Sequence, residues 1–410
     1  MNQRRVVITG LGTVSALGLG ARNNFERALA GSSGIGMLEL GGRWQRPGIP
    51  AAQIRFPLPD LIKTSEQAQF DRHALLAWTA ASEALQQAGI EVDPAQAEDS
   101  GVFWGTGMGG ALTLEAGYVD LFADGKNRLR PMTVVATMSN AAAAQIALRA
   151  HFKGTVNNYS SACVSSAQAI GEAYRHIRHG YAERVLAGGS EAMLSYGVVS
   201  AWDALRVLAS AGDDPARSCL PFSLGRNGLV LGEASAAVML ESLESAQRRG
   251  ATILAELVGY GASNDASHIT KPDVDGQVRA MSMALRDSGL AHADIGYINA
   301  HGAGTAAGDL VETQSIRQTF GAAAGRLAVS STKSVHGHTL GAAGALEFTL
   351  AVQALTSGSI PPTAFLDQTD PACDLDYVPQ HARHGQALQA VMSNSFAFGG
   401  SNVSLIVKRY

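Results

Sequence analysis

Short, continuous apolar runs recur along the chain. VVITG at 6–10, GVFWGTG at 101–107, RVLAGGS at 184–190 and SAAVMLE at 235–241 form a first set. LAELVGYG at 254–261, GYINAHG at 296–302, LAVSSTK at 327–333, AVMSNSF at 390–396 and VSLIVK at 403–408 form a second. None alternates with polar residues, which is the pattern of strands covered on both faces. Between them lie Ala-rich stretches at 73–88, 139–151, 164–179, 275–288, 309–320 and 341–356 that predict helices. Strands alternating with helices predict a layered α/β fold.

The two sets resemble each other. Each opens on a strand ending in Gly-x-Gly, VVITGLG and LVGYG, and each later places chemistry-bearing residues just after a strand. The pattern reads as a duplication joined within SLESAQRRGATIL at 242–254, giving an N-terminal half over 1–250 and a C-terminal half over 251–410. No low-complexity linker separates them, so they are expected to pack as one body. The Gly- and Pro-rich segment 32–63 lacks periodicity and predicts a surface excursion.

With 46% hydrophobic and 16% charged residues over 410, the chain has ample material for a large core. A net charge of −4 supplies no field for nucleic acid or an anionic membrane. Cys163, Cys219 and Cys373 are far apart and form no C-x-x-C pair, which argues against zinc and against a disulfide scaffold. The basic start Met1-Asn2-Gln3-Arg4-Arg5 mimics a signal peptide, but Gly10 and Gly12 break the apolar run that follows, which reads as a strand and turn. No apolar stretch reaches membrane-spanning length. A cytoplasmic protein is expected.

Four segments carry chemistry. Ser160-Ser161-Ala162-Cys163-Val164-Ser165-Ser166 ends a strand-like stretch and begins a helix, where unpaired N–H groups and the helix dipole favour a thiolate. Asn299-Ala300-His301-Gly302 follows an apolar strand and leaves His301 open to a ligand. Lys333-Ser334-Val335-His336-Gly337-His338 is a tight turn into a helix; no carboxylate or Cys supports a metal on its two histidines. Phe396-Ala397-Phe398-Gly399-Gly400 suggests a loop whose N–H groups can face an oxyanion. The glycine runs at 10–12 and 105–110 do not complete a dinucleotide motif and read as tight packing. A Cys with His partners suggests acyl transfer through a thioester, by a thioesterase or a condensing enzyme alike.

VVITGLGTVSALG, SSACVSSAQAIG, AGGSEAM, LAELVGYGASNDASH, NAHGAGT, STKSVHGHTLGAAGALE, CDLDYVP and NSFAFGGSN, in this order, resemble the β-ketoacyl-ACP synthases, closest to the synthase II branch. The resemblance implies a thiolase-type fold, a five-layer α-β-α-β-α sandwich of two similar halves. It implies that Cys163 is the nucleophile, that His301 and His338 are its two histidines, and that Lys333 sets the site's electrostatics with Glu347 in support. Phe398, with Phe396 in the same loop, matches the gate, and the N–H groups of Phe398 and Cys163 would form an oxyanion hole. The implied reaction is the decarboxylative condensation of an acyl group on Cys163 with malonyl-ACP in fatty acid elongation. Phosphopantetheine arrives on the carrier protein, so no resident cofactor is implied. A polyketide or aryl-polyene ketosynthase, paired with a chain-length-factor subunit, is the alternative.

Met108 and Trp202 match family positions that limit chain length, so both are expected in the acyl pocket. Lys63, Arg72, Arg128, Arg130 and Arg206 match the carrier-docking surface. A homodimer is implied, or a heterodimer with a related subunit. The chain also departs from the family. Ala303 and Gly304 replace hydroxyl- or methyl-bearing residues, His336 is added, and Ala397 stiffens a hinge that is usually Gly. These departures point to altered substrate or partner.

Overall fold

The computed structural model describes residues 3–41, 44–91 and 97–410; Met1 and Asn2 of the basic start and residues 42 and 43 of the excursion lie outside them. The first half contains β1 (Val6–Ser15), α1 (Arg72–Ala88), β2 (Ser100–Gly105), α2 (Ala111–Tyr118), α3 (Ala141–Ala150), β3 (Val156–Tyr159), α4 (Ser165–Arg178), β4 (Arg184–Glu191), α5 (Tyr196–Ala204) and β5 (Ala234–Ser242). The second contains β6 (Ala255–Asn264), α6 (Val274–Ser288), β7 (Ile295–Asn299), α7 (Ala306–Phe320), β8 (Ala328–Ser330), α8 (Ala343–Ser357), β9 (Ala390–Phe396) and β10 (Ser401–Lys408).

The strands run β8-β7-β9-β10-β6-β1-β5-β4-β2-β3. Read outward from the centre, β1-β5-β4-β2-β3 and β6-β10-β9-β7-β8 have the same order. They also have the same senses, with two antiparallel pairings followed by two parallel ones. The halves meet where β1 pairs antiparallel with β6, Val6 opposite Leu257.

The repetition extends to atomic contacts. A Cβ on Gly12 of β1 would lie 1.9 Å from the carbonyl oxygen of Ala80 in α1, and one on Gly261 of β6 would lie 2.0 Å from that of Ala280 in α6. The Gly-x-Gly of each half is what lets its first helix touch its first strand. Asp71 caps α1 by accepting from His73 N–H, and Asp273 caps α6 by accepting from Gly276 N–H.

α1 and α3 cover the outside of the first sheet half, and α6 and α7 the outside of the second. α4 and α8 pack on each other between the two, burying Ile170, Ala173, Phe348 and Val352 in one cluster with Val238 and Val391. α8 is apolar nearly all round, as a helix enclosed on every side must be. This is the layered α/β sandwich the pattern predicts.

The 32–63 segment is only partly a surface excursion. Pro50–Ala52 pairs with Gly36–Met37 and Leu231–Gly232 in a small three-stranded sheet, and Ala51 and Ala52 are fully buried. Pro50 and short residues hid this strand from periodicity. α2 and α5 were also absent from the predicted helices; each is short and shows no clear stripe. Among the described residues, no helix is long and apolar enough to cross a membrane.

Candidate active site

Cys163 sits where β3 hands over to α4. A tight turn at Ala162–Val164 is held by Ser165, whose Oγ donates to the Ala162 carbonyl at 2.6 Å and accepts from Ser161 N–H at 2.9 Å. His338 occupies the matching place in the second half, between β8 and α8. Its backbone bridges to the Leu231 strand, N–H to Val230 carbonyl at 2.6 Å and carbonyl from Gly232 N–H at 3.0 Å. The topological repeat therefore brings the two helix starts together, and His338 Nε2 lies 3.1 Å from Cys163 Sγ.

His301 follows β7. Its ring meets that of His338 edge-on, centroids 5.2 Å apart, and lies 6.0 Å from the Phe396 ring. Lys333, fully buried, donates to the His301 carbonyl at 2.5 Å and lies 3.5 Å from its Nδ1. It is ion-paired with the equally buried Glu347 of α8. A cation facing Nδ1 leaves the ring hydrogen of His301 on Nε2.

Electrostatics follow from burial. Removal from water holds both imidazoles well below their ordinary pKa, and the Lys333 charge depresses each further, so both rings are neutral at pH 7. Burial also pushes the Cys163 thiol up to about 12, against the Lys333 charge and the N–H groups of Phe398 and Cys163 itself, which favour thiolate. Loss of solvation on burial thus opposes the thiolate that the helix start favours. Those same N–H groups border the sulfur.

A cavity of about 230 Å³ joins Cys163, His301, His338, Phe396, Phe398 and Trp202. Phe398 lies on a turn in which Gly400 N–H donates to the Ala397 carbonyl at 3.1 Å and Gly399 N–H reaches Ile269 at 2.7 Å. Its ring stacks on Trp202, 6.0 Å away and 21° from parallel. Met108 is elsewhere. It borders a second cavity, which Trp202 also lines, and is 43% exposed. Trp202 therefore lines both cavities, and Met108 shares the second with it.

Of the expected docking cations, Lys63, Arg128, Arg130 and Arg206 are exposed. Arg72 is half-buried and already paired. Its guanidinium donates to the buried Glu233 at 2.8 Å and to the Ile54 carbonyl at 3.0 Å, a tether at the start of α1. His336 turns away from His338: its Nδ1–H donates to the Gly337 carbonyl at 2.8 Å and its Nε2 accepts from Thr332 at 3.0 Å. Among the described residues no group of three His, Cys, Asp or Glu is placed to hold a metal ion.

Three buried carboxylates escaped the sequence reading. Glu312 accepts from the N–H groups of His301 and Gly302 at 2.8 and 2.7 Å. Asp309 accepts from Phe222 and Gly304 at 2.7 and 3.1 Å. Glu191 accepts from Gly107, Met108 and Gly341 at 2.6, 3.1 and 3.0 Å. They fix the loops that carry the reactive side chains. A signal existed: Asp309 and Glu312 are three apart on the helix after the His301 loop, and Glu191 ends an apolar strand.

Two family descriptions match the chain, "Beta-ketoacyl synthase, N-terminal domain" over residues 3–246 and "Beta-ketoacyl synthase, C-terminal domain" over 254–367. The 3-oxoacyl-[acyl-carrier-protein] synthase 2 of Coxiella burnetii is 39% identical over 100% of this chain and 99% of its own. Nodulation protein E of Rhizobium meliloti is 43% identical over 99% of each. Among solved structures, the ishigamide ketosynthase/chain length factor superposes with a TM-score of 0.92 at 30% identity, covering 100% of both chains.

Proposed function

The chain belongs to the β-ketoacyl synthase family, a class of condensing transferases, and on that premise we propose that it is the catalytic ketosynthase of a polyketide or aryl-polyene pathway, working beside a chain-length-factor-like subunit. The observation that carries the catalytic part is the 3.1 Å approach of His338 to Cys163 with His301 in the same cavity.

Each side chain has a task. An acyl group passes from carrier-protein thioester to Cys163, and the carrier leaves as its thiol. Malonyl-ACP then enters; the electron pair of its carboxylate bond becomes an enolate as carbon dioxide departs. The enolate oxygen accepts from Nε2–H of His301 and of His338, both neutral donors. The carbanion attacks the Cys163 thioester, whose oxyanion accepts from the N–H groups of Cys163 and Phe398. Collapse releases β-ketoacyl-ACP and returns Cys163 as thiolate. Lys333 and Glu347 hold His301 and its tautomer.

The partner reading is supported by the ishigamide pair and by an open face. β3 ends the sheet, and Val134 and Phe122, on the segments that follow α2, are 67% and 81% exposed. Carrier proteins are acidic, and Lys63, Arg128, Arg130 and Arg206 offer the complementary charge. Fatty acid elongation by a homodimer is the second reading, supported by the Coxiella relative. Purification from the native host tests the choice. The proposal expects a second, related chain lacking the Cys nucleophile to copurify; a homodimer that extends saturated acyl-ACP with malonyl-ACP would move the assignment to elongation.

A further inference from the structure

Phe222 has a backbone that its side chain disfavours. Its φ is 60°, in the left-handed region that bulky L residues rarely adopt. Two bonds hold it there. Its N–H donates to the buried Asp309 of α7 at 2.7 Å, and its carbonyl accepts from Asp370 N–H at 3.0 Å. Strain of this kind persists only where the surroundings impose it, and it gathers at functional sites. The ring that this backbone aims is fully buried and stacks on Tyr377, centroids 4.0 Å apart and 17° from parallel. Its edge meets Gly302, the residue after His301. A Cβ on Gly302 would lie 2.8 Å from Phe222 Cε2 and 2.7 Å from Ser331 Cβ.

The polar contacts on the His301 turn act on its backbone. Glu312 accepts from the N–H groups of His301 and Gly302, and Lys333 and Ser331 donate to their carbonyls. Phe222 is the apolar stop against which these bonds draw the turn. The chain that leaves Phe222 then runs to the other histidine. Gly228 N–H donates to the Gly304 carbonyl at 3.1 Å, and Val230 and Gly232 bond the backbone of His338. Between them Arg226 donates to Asp370 at 2.7 Å and to the Ala306 carbonyl at 3.0 Å. Residues 222–232 therefore touch both histidine turns. An oxyanion that accepts from two rings needs them at a fixed separation, and a misplacement of about 1 Å can cost on the order of 10²-fold in rate.

We infer that Phe222 is a positioning residue for the condensation. Its ring sets the height of the His301 turn and, through residues 222–232, the separation of the two imidazoles. It lies behind the turn, outside the cavity that holds the reacting groups. The inference rests on His301 and His338 donating to the enolate.

Two partial reactions of the full chain test it: acylation of Cys163 by an acyl thioester, and decarboxylation of malonyl-ACP. Phe222→Leu keeps an apolar side chain but withdraws the ring edge from Gly302. It should lower decarboxylation by about ten- to hundredfold while acylation stays within about threefold of wild type. Tyr377→Phe keeps the stacked ring and should leave the ratio of the two rates unchanged. Urea unfolding of each variant refers both rates to folded protein, and Phe222→Met carries the same test if the Leu variant does not fold. A ratio that stays at the wild-type value, with both rates falling together, limits Phe222 to the fold and overturns the inference. His301→Ala tests the reading beneath it. Wild-type decarboxylation in that variant would overturn the donor role itself, whereas its loss there, beside an unmoved ratio in Phe222→Leu, overturns the positioning alone.

Discussion

The backbone N–H of Leu340 donates to Nδ1 of His338 at 3.3 Å. A neutral imidazole that accepts at Nδ1 carries its hydrogen at Nε2, the nitrogen facing Cys163. His338 is thereby set as a donor and not as a base. His338→Ala should lower malonyl-ACP decarboxylation by about 10²–10³ while Cys163 still reacts with iodoacetamide. Wild-type decarboxylation in this variant would remove His338 from the proposed chemistry.

The buried histidines also set an acid limit on stability. Both have a folded pKa well below the ordinary 6.5. The unfolded chain therefore binds the extra protons first, and stability is lost as pH falls below about 6.5. Urea midpoints measured against pH should fall on the acid side, and less steeply in His338→Gln. Parallel curves for wild type and variant would mean that His338 does not contribute to the slope.

His336 joins the two ends of its own turn, Thr332 before Lys333 and Gly337 before His338. His336→Ala leaves both groups buried without that partner. We expect a loss of about 1–3 kcal/mol in urea unfolding and slower decarboxylation, because Lys333 and His338 lose their register. Unchanged kinetics in a destabilised protein would limit His336 to the fold.

How much was legible beforehand differs by scale. Cys163, His301, Lys333 and His338 stand at strand-to-helix junctions that apolar runs and Ala-rich stretches announce, so their places in the fold follow from local pattern. Their convergence depends on β1 pairing with β6 and on α4 lying against α8, contacts between residues remote in sequence that no local period records. The thiol's burial is non-local in the same way: the helix start is read from the sequence, whereas Leu38, Met193, Leu229, Ala303 and Leu340, which bury it, are remote along the chain. Arg72 shows the same limit: its charge is visible in the sequence, but Glu233 as its partner is not.

Gly261 gives the packing a direct test. The Cβ of Gly261→Ala would enter the backbone of α6 at the Ala280 carbonyl. A loss of about 1–3 kcal/mol or more is expected, read by thermal or urea unfolding. Wild-type stability would show that α6 can draw back from β6 freely.

Charge reversal of Arg128 together with Arg130 should raise KM for acyl-ACP and flatten its salt dependence, with little effect on small acyl thioesters. Equal losses on both substrates would mean that this loop supports the fold and does not dock the carrier.

Everything proposed for the reaction passes through the thiol of Cys163, and Cys219 and Cys373, both buried, are its internal controls. The most direct measurement is peptide mass spectrometry of the protein from its native host after exposure to acyl-ACP. The account predicts an acyl adduct on Cys163 that malonyl-ACP discharges as β-ketoacyl-ACP. An adduct on Cys219 or Cys373, or one on Cys163 that malonyl-ACP leaves in place, would contradict it.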